Sequence, residues 1–498
     1  MKPPLIRTLR RSEHRQERGV TMILVAVAMV AIIAMAALSI DVVTLYLARE
    51  EAQRAADAAA LAAAKVISLS GVTSDPGNAS SEWATICGGS TSPATQTANS
   101  VAKQSTVGST AATTVNVTYS AGGTNSGGNC SGLPFGTGVN NPMVTVQVIR
   151  GSLPTFFSRM WGRTGNSVSA TATAEVFNPS NSGNVGNGAT GTITAVQPRC
   201  VKPWIIPNID PLNPDDSCSN SATCNKFVDP LTGQIMHPGT TTGGGAPAAS
   251  GVIGETFWIE PDCRHTGGTC NLRNGSPQPN WYSPSNPGIR AFLQPPPSLE
   301  YLPGEAPTGA PVAVPSCSSG SAYEKAIAGC DQSTVYQCGV QNALSPNPNR
   351  VDLSENPSSG TNDTLNGVKC LIREADDTDS APSGQDSMDL TAYPFRILSG
   401  TNNPMLGGAL AGSAISNSPS IVSVPIYDSG SNVISGSGIS PVTIIGFLQV
   451  FINRVDPWGN VQVTVLNVAG CSNGTGTDPV GSAVTGSSPV PVRLITTP

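Results

Sequence analysis

The chain has 498 residues, enough for two or three domains with cores of their own. Only 12% of residues are charged, and 53 Gly and 42 Pro make the chain loop-rich without reaching low-complexity disorder. The formal net charge is −6 and the acidic excess lies beyond residue 19, so no basic patch is expected to meet phosphate and nucleic-acid binding is excluded as a prediction.

Residues 1–19 form a basic tail, with Lys2, Arg7, Arg10, Arg11, Arg15 and Arg18 against Glu13 and Glu17. Val20 to Ile40 follows without charge, Gly or Pro. That is the length and polarity of a membrane-crossing helix, which needs about 20 apolar residues. Basic residues before the span and few just after it predict a cytoplasmic N-terminus and export of the rest. Ala34-Met35-Ala36 also fits a signal-peptide cleavage pattern, so a removed leader is the alternative to a retained anchor. The apolar run continues past that site into a helix with no extended segment, which favours retention.

Beyond Ile40 the pattern stays helical but becomes polar and Ala-rich. Glu50 and Arg54 stand at i,i+4 and Asp57 follows Arg54 at i+3, while Ala and Leu, both strong helix formers, fill the rest. One helix from Arg18 to about Ser70 is predicted, reaching roughly 75 Å, of which lipid takes about 30 Å. Small side chains permit close helix approach, so Ala55, Ala59 and Ala62 are the predicted partner face.

The polar stretch from about Gly71 to Gly138 contains a predicted strand at Thr113–Tyr119. Met143–Ile149 and Ser167–Phe177 alternate more clearly, and Leu153–Trp161 between them places Phe156, Phe157, Met160 and Trp161 at helical spacing as a packing face. Helix and strands together make a unit over 41–178, followed by a Gly/Ser/Asn linker at 179–191. Residues 192–498 read as a β-rich, loop-rich region. Its predicted strands are Val201–Ile206, Val252–Ile259, Ile421–Ile426, Val442–Ile452 and Val461–Val468. The last two are joined as a hairpin by the turn-like DPWGN. Long loops are expected up to about Pro315, around Thr240–Gly245 and Pro295–Pro297. Ser321–Ala328 is a short helix with Ser321 as cap and Glu324 three residues on. The fold class is α+β.

All twelve cysteines follow the span: Cys87, Cys130, Cys200, Cys218, Cys224, Cys263, Cys270, Cys317, Cys330, Cys338, Cys370 and Cys471. An even number on the exported side predicts disulfides in an oxidising compartment such as a bacterial periplasm, with connectivity left open. Chemistry candidates are few. Gly470-Cys471-Ser472-Asn473-Gly474 matches G-x-S-x-G, but no helix pattern follows it, and His14, His237 and His265 all precede it, so no base lies downstream. Asp215-Asp216-Ser217-Cys218-Ser219 matches the D-x-S-x-S of von Willebrand A metal sites, yet Pro207, Pro211 and Pro214 deny it a buried strand. Cys263, His265 and Cys270 lack structural-zinc spacing. Asp376, Asp377 and Asp379 lack the glycine and terminal Glu of a calcium loop. No catalytic residue, cofactor or metal is predicted, and no enzyme.

The run from Arg18-Gly19-Val20 through Ile40-Asp41-Val42 and on through LYLAREEAQRAADAAALAAA resembles the N-terminal region of TadG-like proteins of tight-adherence (Flp-type) pilus assembly. The marks are Gly19 before the span, Asp41 after it, Leu45-Tyr46, Gln53 and Ala55 through Ala62. PTFFSRMWG followed by SVSATATAEV is similar to the TadE/TadG pattern of a Phe-rich turn before an Ala/Thr strand. Leu24 stands where prepilins carry Glu, so the resemblance does not extend to prepilin processing after Gly19. The resemblance covers about the first third of the chain. It implies a non-enzymatic, single-pass inner-membrane protein, its bulk periplasmic, that helps assemble or anchor a pilus through contacts with other envelope proteins. No small-molecule substrate is expected. The alternative is an anchored or secreted adhesin with a carbohydrate-binding β domain, in which Trp258, Trp281, Tyr282 and Trp458 supply stacking faces.

Overall fold

The computed structural model describes residues 17–74, 80–121, 124–133, 141–154, 165–176, 196–198, 200–212, 226–230, 233, 235–237, 251–261, 298–305, 320–329, 336, 338, 349–355, 362–374, 383–391, 395–404, 410–415, 417–430, 438–471, 484–486, 490 and 492–495. The predicted Leu153–Trp161 helix beyond Pro154, the 179–191 linker and the two loop motifs at 240–245 and 295–297 lie outside these residues. The chain divides into two compact units: residues 1–58, 100–116 and 146–172 form one, and residues 59–99, 117–145 and 173–498 the other.

Helix α1 is Glu17–Leu69, 53 residues long, close to the Arg18–Ser70 expected from its unbroken run of helix formers. Two helices follow within the polar stretch, α2 (Ser80–Cys87) and α3 (Pro93–Gln104). Three strands come next: β1 (Thr114–Ala121), β2 (Met143–Leu153) and β3 (Asn166–Val176). Along β2, Val144, Val146 and Val148 are buried at every second position, the signature of a strand with one covered face. A strand at Val492–Ile495 pairs antiparallel with β3, from Val492 opposite Val176 to Ile495 opposite Thr173. The sheet order is Val492–Ile495, β3, β2, β1 and the two-residue Thr124–Asn125.

In the first unit, Gly108 N–H donates to the Glu51 carboxylate at 2.7 Å and Gln53 Nε2 to the Thr171 carbonyl at 3.3 Å, tying α1 to its strands. Gly108 has φ +59, a conformation that favours glycine, and a Cβ there would have to push aside Leu153 Cδ2 at 2.4 Å.

In the second unit, strands β4 (Trp204–Pro207), β5 (Thr256–Pro261) and β6 (Ser298–Pro303) precede two helices, α4 (Ala322–Ala328) and α5 (Asp363–Ile372). Strands β7 (Ile421–Tyr427), β8 (Ile444–Val455) and β9 (Val461–Gly470) complete the set. Six strands close a barrel in the order β6-β4-β7-β8-β9-β5. Closure comes from two parallel contacts, β4 with β7 and β5 with β6, among otherwise antiparallel ones. Val422, Val424, Leu448, Val450, Ile452, Val461, Val463, Val465, Phe257, Ile259, Leu299 and Tyr301 belong to one buried cluster. Register shifts at Gln449/Val450 and Ile452/Arg454 mark bulges between β8 and β9, the device that bends strands enough to close a barrel. The β8–β9 hairpin is the expected one. Asp456 organises its turn by accepting from the Trp458 and Asn460 N–H groups at 3.0 and 2.9 Å.

Helices α4 and α5 add Tyr323, Ile327, Val368 and Ile372 to the same cluster. Ser321 caps α4 as expected, its hydroxyl accepting from Glu324 N–H at 3.0 Å.

Candidate functional site

The candidate site is α1, whose side chains fall into two regimes. From Gly19 to Ala36 they are exposed all round except half-buried Ala34. From Ala37 a buried stripe begins: Ala37, Asp41, Ala48, Ala52, Ala55, Ala56, Ala59, Ala60, Ala63, Ala64 and Ile67. Steps of three and four keep these residues on one face of a 3.6-residue helix. Alanine at nearly every buried position lets the covering backbone approach closely, at the cost of little buried area per residue.

The expected partner face lies along this stripe. Ala55 and Ala59 are fully buried by the chain's own fold and Ala62 is half-buried. Two of the three residues expected to receive a partner helix are thus covered within the chain. Small side chains suit a close intramolecular neighbour as well as a partner, and the helix sequence contains only one half of that contact. From Arg49 on, the exposed side of the extension is polar instead, carrying Arg49, Glu50, Gln53 and Arg54. Gln53 donates to Asp57 at 2.8 Å. The Arg54–Glu50 pair is open to solvent at 3.9 Å and contributes only a few tenths of a kcal/mol. Val20 and Ile40, the expected ends of the span, are both exposed.

The far end of α1 is fixed within the second unit. Ser68 Oγ donates to the Val490 carbonyl at 2.7 Å, and the Asn467 amide on β9 donates to the Ser68 carbonyl while also reaching Gln449. Gly71 follows at φ +79, where a Cβ would meet Ile253 Cγ2 at 2.5 Å. The helix therefore ends on the barrel wall, tied to it by bonds that its own sequence could not announce.

Disulfides join Cys87 to Cys130 and Cys338 to Cys471, each with Cα atoms 5.5 Å apart. Cys200 and Cys370 are disulfide-bonded as well. Cys218, Cys224, Cys263, Cys270, Cys317 and Cys330 lie outside the described residues. Cys471 of the G-x-S-x-G motif is thus a structural half-cystine at the end of β9, and Ser472 lies outside the described residues. The Asp215–Ser219 motif, His265 and Asp376–Asp379 lie outside them too. Among the described residues no group of three His, Cys, Asp or Glu side chains is placed to hold a metal ion. Of the aromatics proposed for carbohydrate stacking, Trp281 and Tyr282 lie outside. Trp258 is fully buried with the Arg454 guanidinium 5.2 Å from its ring centroid, so its face is taken, and only Trp458 is exposed.

One buried group was missed in the sequence. Lys202 lies beside β4, fully buried, and its Nζ donates to the carbonyls of Ile327 and Gly329, both at 2.7 Å. The last carbonyls of any helix lack intrahelical donors, and Lys202 supplies two to the end of α4. Burial pulls its pKa down to about 7, as expected when the charged form loses water. Its only sequence signal is a lysine inside the apolar run VKPWII.

Fold and helix define a class: a disulfide-bonded α+β protein carrying one N-terminal helix long and apolar enough to cross a membrane. Residues 19–66 match a family model described as "Putative Flp pilus-assembly TadE/G-like", which makes the N-terminal part TadE/G-like and points to Flp pilus assembly as its setting. No curated protein and no solved structure matches the chain.

Proposed function

We propose that the chain is a non-enzymatic, single-pass membrane protein that takes part in Flp-type pilus assembly or anchoring through contacts with other envelope proteins. Its basic N-terminal tail lies in the cytoplasm and its disulfide-bonded body in the periplasm. The observation that carries the reading is a coincidence on one element. The segment matching the TadE/G-like family is the same helix whose apolar side chains stay uncovered by the rest of the chain. The basic residues before the span support the orientation, and the disulfides support an oxidising compartment. With Ala55 and Ala59 covered, contacts with partners fall to the span itself and to the exposed polar side of α1.

The test is chemical crosslinking in intact piliated cells, followed by detergent extraction and isolation of the tagged full chain. Recovery of pilus-assembly envelope proteins on crosslinking is the expected outcome. Recovery of the chain alone, under conditions that capture known envelope pairs, would overturn the proposal.

A further inference from the structure

The apolar surface of α1 does not stop where the 21-residue reading of the span places its end. Beyond Ile40, Val42 is 57% exposed, Val43 56%, Tyr46 64% and Leu47 53%, whereas Asp41 between them is 4% exposed. The helix here is two-sided. Ala37, Asp41 and Ala48 face the chain's own fold, with Thr44 and Leu45 half-buried beside them, and Val42, Val43, Tyr46 and Leu47 form a ridge facing away.

Polar groups on this stretch are dealt with internally. Ser39 Oγ donates to the Ala36 carbonyl at 2.8 Å and Thr44 Oγ1 to the Asp41 carbonyl at 2.9 Å. Both hydroxyls are therefore satisfied without water, as a lipid-facing helix requires. The only ionisable carboxylate between Arg18 and Arg49 is Asp41, and it is the one turned inward. Arg49 and Glu50 are exposed immediately after the ridge.

Lengths decide what covers the ridge. Val20 to Ile40 spans about 31 Å at 1.5 Å per residue, filling a hydrocarbon core of about 30 Å. Val20 to Leu47 spans about 42 Å, close to the about 40–45 Å of a bilayer with its headgroup layers. Fitting that length wholly into hydrocarbon would need a tilt of about 45°, beyond the usual range. The ridge thus has the depth of the interface, where a tyrosine ring is favoured and an arginine just beyond can reach the phosphates.

On the reading that α1 spans a membrane, we infer that the lipid boundary on the exported side lies at Leu47–Arg49 and not at Ile40. Val42, Val43, Tyr46 and Leu47 then lie in the lipid headgroup interface. The covered stripe starting at Ala37 brings the chain's own fold down to the same level, so no aqueous stalk separates the folded part from the bilayer. Asp41 sits at membrane depth but is shielded by protein.

The test uses the full chain in vesicles of phosphatidylethanolamine and phosphatidylglycerol. One environment-sensitive fluorophore is attached in turn at Met29→Cys, Val43→Cys, Leu47→Cys and Glu50→Cys. All four side chains are exposed, so labelling leaves the packing intact. Quenching by lipids spin-labelled near the headgroup and by lipids spin-labelled along the acyl chain is compared with quenching by aqueous iodide. The expected result is lipid quenching at 29, 43 and 47, at least twofold stronger than iodide quenching, with iodide dominating at 50. Iodide quenching at 43 and 47 together with lipid quenching at 29 would overturn the inference and leave the anchor standing. Protection from both quenchers at 43 and 47 would overturn it in favour of a protein covering the ridge. Iodide quenching at 29 would overturn the anchor itself.

Discussion

Replacing Lys202 with Met removes a titrating group from the barrel wall while keeping most of its apolar stem. In the folded chain Nζ is fully enclosed and titrates near pH 7; in the unfolded chain it returns to an ordinary lysine near 10.4. A base whose pKa is lower when folded is protonated mainly in the unfolded state between the two values. Raising the pH through that window removes the advantage of the unfolded state, so stability rises with pH. From pH 7 to pH 9 the gain works out at about 2 kcal/mol, because half the folded molecules still hold the proton at pH 7. Losing the two bonds to Ile327 and Gly329 leaves carbonyls that cost about 1–3 kcal/mol each. That loss is common to both pH values and cancels in the comparison. Urea unfolding of the full chain in detergent reads the effect through tryptophan fluorescence, since Trp204 and Trp258 are buried in barrel strands. The wild type should gain about 2 kcal/mol relative to K202M between pH 7 and pH 9. An unchanged difference, or one of opposite sign, would refute a lysine held neutral by burial.

Removing the Cys87–Cys130 bridge as the double Ser variant should cost about 4 kcal/mol by loop-closure entropy for a sequence separation of 43. Faster proteolysis within 80–133, with the barrel hairpin still protected, is the readout. Gly367→Ala places a Cβ 2.9 Å from both the Glu324 carbonyl and Ile327 Cβ, where α4 and α5 touch. Overpacking of about 1–3 kcal/mol should follow, lowering the urea midpoint without changing its slope. Ala59→Leu enlarges a fully buried side chain of α1 and should likewise destabilise the fold by about 1–3 kcal/mol, detected as a lower unfolding midpoint of the isolated chain. A variant of normal stability that lost only its partners would restore the face to an intermolecular role.

The parts that could be read in advance are those whose signal is local. The extent of α1 follows from an uninterrupted run of apolar residues and alanines. The β8–β9 hairpin follows from alternation on either side of Asp456–Asn460, a turn fixed by its own aspartate. Helix α3 escaped because it buries Ala94, Thr95, Ala98 and Ala102, a stripe with the right period but hardly any hydrophobic contrast. Strand β6, SLEYLP between prolines, and helix α5, with Gly367 at its centre, have no convincing pattern of their own. The barrel is a further step removed, since its closure rests on Ser298–Tyr301 lying parallel to Trp258–Pro261, a pairing between segments with no turn in common. For the candidate site, the sequence indicated the helix and its family likeness. Which side of the helix is covered depends on distant residues such as Gly108, Thr171 and Asn467, so the burial of Ala55 and Ala59 needed the fold.

The central claim is that the chain takes part in Flp pilus assembly or anchoring from the membrane, and counting surface pili by electron microscopy on cells lacking it tests that claim most directly. Loss of pili is predicted, with restoration by the full chain and no restoration by a version in which residues 20–40 are replaced by a cleaved leader. Normal piliation in the absence of the chain would contradict the account.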